Sequence, residues 1–225
     1  MLASFLGCVP SDRHSVRSIN GMDSKAHWEG IYQNKATDAV SWYRLHLETS
    51  LRLIEAAAAT PDAAIIDVGG GEATLVDDLL ARGYTQLSVL DISQPAIART
   101  QQRLGKQAAL VNWIVADITQ ATLPEQGYDI WHDRAVFHFL TAQAQRDAYV
   151  LQLRHALKPD GHLLISTFGP DGPLQCSGLD IVRYDAEMLQ RQFGPDFLLQ
   201  ESGTEVHRTP WGTEQQFVYC HLKRR

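Results

Sequence analysis

The stretch that most limits what this chain can fold into is residues 63–73, Ala-Ala-Ile-Ile-Asp-Val-Gly-Gly-Gly-Glu-Ala. The apolar run Ala63 to Ile66 reads as a buried strand. It leads into Asp67 and then into Gly69, Gly70 and Gly71, and a helical pattern follows from Ala73 to Arg82. A strand, a glycine turn and a helix start bring bare backbone and the free N–H groups of a helix N-terminus to one point. Dinucleotides are one ligand class that uses such a turn, through G-x-G-x-x-G/A. Gly69 and Gly71 supply the first two glycines of that pattern, and Thr74 misses the third.

Ahead of the turn, His27 to Arg44 is the most aromatic stretch, with Trp28, Tyr32, Trp42 and Tyr43. Trp28 and Tyr32 are four apart and share a helix face. The segment reads as a helix packed on the core or as a cover over a ligand cleft. Leu47, Leu51, Ile54 and Ala58 are helically spaced up to a stop at Thr60-Pro61.

After the turn, Leu75, Val76, Leu79 and Leu80 give a helix face, with Gly83 at the C-cap. Leu87 to Asp91 reads as a second strand ending in an acid. Asp91 lies 20 residues past Gly71, a distance that sets a carboxylate beside a ribose, accepting from both hydroxyls. Its structural alternative is a helix cap or turn residue. Ser93 and Pro95 start a helix that runs to Leu104. A third strand is expected at Asn112 to Val115, closing on Ala116-Asp117-Ile118.

The fourth strand starts at Tyr128 and runs through His132, Asp133 and Arg134 into a loop with Phe137 and His138. In a doubly wound sheet, the carboxyl end of a central strand faces the ligand crevice. Thr141 is expected to cap the next helix, which carries Tyr149, Leu153 and Leu157. Lys158-Pro159-Asp160-Gly161 turns into a fifth strand, His162 to Phe168. The glycines and prolines from Gly169 onward make a long loop, read as a pocket wall. Arg183 and Tyr184 precede a helix capped by Asp185 and ending at Phe193. Phe197 to Gln200 and Gln215 to Leu222 are the last strands, joined through His207 to Gly212.

The 225 residues, 44% hydrophobic and 20% charged, suit one globular domain. The net charge of −6 speaks against a nucleic-acid surface. No apolar run approaches the roughly 20 residues of a membrane span. Cys8, Cys176 and Cys220 show no metal-ligand spacing, and an odd count without a secretory leader fits a reducing cytoplasm. Residues 1–21 carry no periodicity and read as a disordered extension or an upstream start before Met22. Residues 22–225 read as a single domain with a lid over about 22–60.

Asp67/Gly69/Gly71, Asp91, Asp117, Asp129 to Asp133 and Lys158-Pro159-Asp160-Gly161 occur in a telling order. The set resembles the class I S-adenosylmethionine-dependent methyltransferases over residues 27–222. Their first motif is D-x-G-x-G-x-G, and Ala73 here replaces its last glycine. The resemblance implies an α/β fold: a Rossmann-like seven-stranded sheet, mostly parallel, with the seventh strand antiparallel and helices on both faces. It implies S-adenosyl-L-methionine as cofactor and S-adenosyl-L-homocysteine as product. Asp67 would anchor the methionine ammonium at Gly69 and Gly71, with His132 nearby. Asp91 and Ile92 would border the ribose. Asp117 would take the adenine amine, with Ile118 against the ring, and Trp28 and Tyr32 would cover the cofactor.

No N-P-P-Y or D-P-P-Y follows the fourth strand, which speaks against base amines as substrates. Asp133-Arg134 followed by apolar residues resembles the D-R-G-x-L loop of thiopurine S-methyltransferase and related thiol methyltransferases, with Ala135 in place of glycine. A similar D-K-G-T-L loop occurs in some protein-lysine methyltransferases. A thiol, with a reference pKa of about 8.5, needs less help as a nucleophile than an ammonium or an alcohol. A small-molecule thiol or sulfide is therefore the expected acceptor. Protein lysine is the alternative, and a nicotinamide-dependent oxidoreductase the remote one. Arg134, Arg183 or a neutral His138 would stabilise the thiolate or take its proton. Trp42, Tyr43, Phe137, Tyr184 and His207 would line the acceptor pocket. Each has a structural alternative: His138 as a buried, hydrogen-bonded ring, Arg134 as a partner of Asp133 or of a helix end, Arg183 and Tyr184 as loop anchors, and Cys176 as a small apolar side chain. Neither a nucleic-acid nor a membrane partner is expected, and the chain reads as a cytoplasmic monomer or homodimer.

Overall fold

A computed structural model describes residues 21–225; the expectations for residues 1–20, Cys8 among them, lie outside the described residues. The helices are α1 (Gly21–Asn34), α2 (Glu48–Ala57), α3 (Leu75–Ala81), α4 (Gln94–Leu104), α5 (Gln143–Ala156) and α6 (Ala186–Phe193). The strands of the main sheet are β1 (Ala64–Val68), β2 (Gln86–Asp91), β3 (Val111–Val115), β4 (Tyr128–Arg134), β5 (Leu157–Phe168), β6 (Phe197–Arg208) and β7 (Glu214–Arg224). A two-residue ribbon, Gln175–Cys176 with Leu179–Asp180, stands apart.

The sheet order is β3-β2-β1-β4-β5-β7-β6. The first five strands pair in parallel, and β7 runs antiparallel between β5 and β6. The connections leave β1 toward β2 on one side and reach β4 on the other, so the order reverses there. In open α/β sheets that reversal opens a crevice at the carboxyl ends of the strands.

Two apolar layers hold the sheet. Trp131, Ile165 and Cys220 pack under Tyr149, Leu189 and Phe193 of α5 and α6. Ile65, Val89, Ile130 and Leu164 pack under α2 and α3 through Leu51, Ile54, Leu75 and Leu79. Strand β1 is buried along its whole length, as a central parallel strand must be. Among the described residues no helix is long and apolar enough to cross a membrane.

Local chemistry explains several boundaries. Ser93 caps α4, its hydroxyl accepting from the Ala96 N–H, with Pro95 in the first turn. Asp185 caps α6, accepting from the Met188 N–H at 2.7 Å. Three expectations need correction. Thr141 does not cap α5: its N–H turns back to the Phe139 carbonyl at 3.0 Å, and extended Ala142 is the cap, its N–H donating to Gln145 Oε1. Strand β5 begins at Leu157 rather than His162, and Asp160 takes a positive φ of 60° within it. Strand β6 continues to Arg208 rather than stopping at Gln200. It is an edge strand, held by the ladder to β7 on one side and open on the other, so its polar second half needs no apolar alternation.

Candidate functional site

The glycine turn ends β1 and meets the β4 loop. Gly69 has φ of 74° and donates to the Leu90 carbonyl at 2.7 Å. A Cβ at this position would collide with Val136. At Gly71 a Cβ would fall 2.5 Å from Asp91 Oδ2. The turn is therefore bare backbone by necessity, and Asp91 is fitted against it. Asp91 Oδ2 accepts from the Gly71 N–H at 3.0 Å and Oδ1 from the Ser93 N–H at 2.8 Å. Both anchors leave each oxygen a second lone pair, and the residue borders the cleft. Burial pushes the carboxyl up to about 6, against the pull of the two backbone donors.

Asp67, at the end of β1, is paired in register with His132 on β4. Its Oδ1 lies 2.7 Å from His132 Nδ1, and His132 Nε2 lies 2.9 Å from the Ser50 hydroxyl of α2. Adjacent parallel strands, with α2 above them, thus hold this pair. Asp67, Gly69, Gly70, Glu72, His132, Tyr43 and Arg44 border a small lobe of the cleft.

The larger lobe has a volume of about 1260 Å³ and is open to solvent. Leu90, Ile92, Ala116, Ile118 and Val136 make an apolar slot, flanked by Asp91 and Asp117. Asp117 Oδ1 is engaged by the N–H and hydroxyl of Thr119, at 2.9 and 2.7 Å. These features fit an adenosine: a backbone cradle with no space for side chains, a carboxylate at ribose distance from it, and an apolar slot beside a second acid. Asp67, which borders the small lobe, fits the amino-acid end of the same cofactor.

The two lobes meet at Tyr32, Trp42, Gly69 and Arg134. Trp28 of α1 packs edge-on against Phe139 at 5.0 Å and Trp42 at 5.8 Å, and lies 6.2 Å from Tyr32. This cluster roofs the cleft. Burial, then the Asp91 charge, raises the Tyr32 hydroxyl well above its ordinary value, so it is a neutral phenol. Arg134 donates to the Trp42 carbonyl at 3.3 Å and lies over Phe217, 4.6 Å from the ring centroid. Burial lowers its guanidinium to about 10, so it remains a cation at neutral pH. Cys176 also lines this wall; burial pushes its thiol up to about 11, which suits the small, unreactive side chain expected of it.

Asp133 does not pair with Arg134. It points to the opposite face, where it accepts from Tyr149 at 2.6 Å and from the N–H groups of Val136 and Phe137. Burial pushes it up to about 6. It holds the β4 loop, in which Ala135 takes φ of 73°. This is the left-handed conformation, which glycine adopts at less cost than alanine.

Several expected site residues lie elsewhere. His138 is fully buried between Phe139 and Phe168, its Nδ1 accepting from the Phe168 N–H at 3.3 Å. Burial, with the Arg134 charge, lowers it to about 3, so it is neutral and does not border the cleft. Phe137 and Tyr184 pack on each other in the core under α5 and α6. Arg183 donates to the carbonyls of Pro170 and Gly172, at 2.6 and 3.1 Å, and anchors that loop. His207 donates to the Ser41 carbonyl at 2.6 Å behind Phe217 and ties the lid segment to the β6–β7 hairpin. Sequence reasoning missed Phe139, Phe168, Gln215 and Phe217, which line the larger lobe. The alternation of Gln215 and Phe217 on one strand face was the only available signal. It also missed Glu72, buried in the small lobe and paired with Arg99 at 2.7 Å.

Residues 65–161 match a family described as a methyltransferase domain. The chain is 22% identical to EEF1A lysine methyltransferase 2 of Danio rerio over 176 residues, covering 72% of this chain and 74% of that protein. It is 35% identical to nodulation protein S of Rhizobium fredii over 88 residues, 39% of this chain and 49% of that one. A solved structure of an S-adenosylmethionine-dependent methyltransferase from Anabaena variabilis superposes with a TM-score of 0.70. It is 18% identical and covers 92% of this chain and 96% of its own.

Proposed function

We propose that this chain, a class I S-adenosylmethionine-dependent methyltransferase, methylates a small-molecule acceptor, with thiols and sulfides as the class its loop resemblance favours. When bound, S-adenosylmethionine supplies a methyl group already activated on a sulfonium sulfur. The protein contributes position and charge. Asp91, pre-oriented by Gly71 and Ser93, would accept from the ribose hydroxyls. Asp117 and Ile118 would hold the adenine, and Asp67 with His132 the ammonium end. Holding two reactants in line removes about 7–11 kcal/mol of barrier in well-oriented systems.

The observation that carries the acceptor reading is the wall of the larger lobe. It joins Trp28, Trp42, Phe139, Phe168 and Phe217 to one cation, Arg134. Of the three acid–base candidates, Arg134 is the one that borders the cleft, which supports giving it the role. Arg134 is left to lower the pKa of a bound thiol by its charge. Protein lysine is the second reading, favoured by the relative named for that activity. Cys176 and Cys220, both free thiols among the described residues, fit a reducing cytoplasm, and a monomer or homodimer belongs to the same proposal. The test is a screen with methyl-labelled S-adenosylmethionine against sulfide, small thiols, amines and whole-cell protein. Label appearing in small thiols supports the reading; label appearing only in protein overturns it.

A further inference from the structure

Two polar groups on one wall of the larger lobe have nothing to bond. Arg134 Nη2 and the Gln215 side-chain oxygen are both buried and lack a hydrogen-bond partner among the described residues. Both residues border the cleft. Gln215 and Phe217 alternate along β7 and so face the same side. The Arg134 guanidinium lies over that same Phe217 ring. Cation, ring and amide oxygen therefore form one surface.

Among the described residues no carboxylate forms a salt bridge with Arg134. Asp133 is turned to the far face and engaged by Tyr149. Glu205, the acid whose charge most affects Arg134, is taken by Arg44 at 2.5 Å. Keeping a desolvated cation without a counter-ion is costly. So is an amide oxygen without a donor. One ligand can relieve both if it brings a negative charge and an adjacent N–H or O–H. The aromatic wall formed by Trp28, Trp42 and Phe139 favours a flat molecule.

We propose that the acceptor is a planar organic anion bearing a neighbouring hydrogen-bond donor, its charge set against Arg134 and its donor against Gln215. This rests on the methyltransferase reading and names the acceptor class within it. Such an acceptor needs no base from this wall. The anion's lone pair forms the new bond to the methyl carbon, the electron pair of the broken carbon–sulfur bond stays on sulfur, and no proton is lost in the transfer. A protonated amine would place like charge beside Arg134 and would first have to shed a proton.

The experiment is calorimetric titration of the full chain, first with S-adenosylhomocysteine and then, once saturated, with four matched probes. These are indole-2-carboxylate (anion and donor), benzofuran-2-carboxylate (anion alone), indole-2-carboxamide (neutral) and 2-(aminomethyl)indole (cation). Indole-2-carboxylate is expected to bind at least tenfold more tightly than the amide and the amine, and severalfold more tightly than the benzofuran acid. Arg134→Gln should reduce the preference over the amide to within about twofold, while Arg134→Lys keeps part of it. Gln215→Leu should erase the difference between the two acids. Amide or amine binding as well as the indole acid, or none of the four binding to saturated enzyme, overturns the inference. Failure of S-adenosylhomocysteine itself to bind would instead remove the methyltransferase reading.

Discussion

Asp91 and Gly71 define each other: the Gly71 N–H donates to Asp91 Oδ2 at 3.0 Å, and that same oxygen leaves no room for a side chain on residue 71. The glycine turn and its carboxylate are one unit. Gly71→Ala would put its Cβ 2.5 Å from Oδ2 and 2.6 Å from Ala96 Cβ, displacing the acid. Calorimetry should show at least a tenfold loss of S-adenosylhomocysteine affinity. Asp91→Ala, which removes the acceptor itself, should cost roughly 1.5–3 kcal/mol of binding.

Cofactor binding should depend on pH through the same group. Burial raises Asp91 to about 6, and only its ionised form offers both oxygens as acceptors. Affinity for S-adenosylhomocysteine should be constant above about pH 7 and fall as pH drops through 6. In Asp91→Asn the profile should be flat over that range. In the unliganded protein the sign reverses. The folded carboxyl holds its proton more tightly than the unfolded one, so this group's contribution to stability is present at low pH and lost as pH rises through about 6.

His138 acts on stability in the opposite direction. Its folded form resists protonation down to about 3 because it is buried beside a cation, whereas the unfolded ring binds a proton near its ordinary value. Between about pH 7 and pH 5 this one ring should remove about 2 kcal/mol of stability. His138→Phe should lower the melting temperature at neutral pH, because the Phe168 N–H loses its acceptor. It should also narrow the difference in melting temperature between the two pH values. Turnover with a confirmed acceptor should persist, since the ring does not border the cleft; its abolition in a folded variant would contradict the placement.

Trp28 is the keystone of the roof, meeting Phe139, Trp42 and Tyr32. Aromatic contacts contribute about 0.5–1.5 kcal/mol each beyond their buried area. Trp28→Ala should therefore open the cleft and speed S-adenosylhomocysteine release several-fold in stopped-flow fluorescence. The lost contacts should show first as local opening of the lid, read as faster amide exchange there, because the residue lies outside the two main core layers.

What could be read along the chain was what depends on neighbours along the chain. The strand, glycine turn and helix at residues 64–81, the caps at Ser93 and Asp185, and the 20-residue step from Gly71 to Asp91 all rest on local backbone chemistry and short-range spacing. Those signals located the glycine turn and the carboxylate fitted against it. The aromatic wall of the larger lobe was decided by packing between distant segments. Strand alternation and the left-handed turn at Ala135 aim Arg134 into the cleft while Asp133 and His138, beside it in sequence, are buried outside it. Gln215 and Phe217 arrive from the far end of the chain because β7 inserts between β5 and β6. Which of several titratable side chains meets the ligand depends on how the sheet and its helices exclude water from the rest, and that burial is a property of the assembled layers.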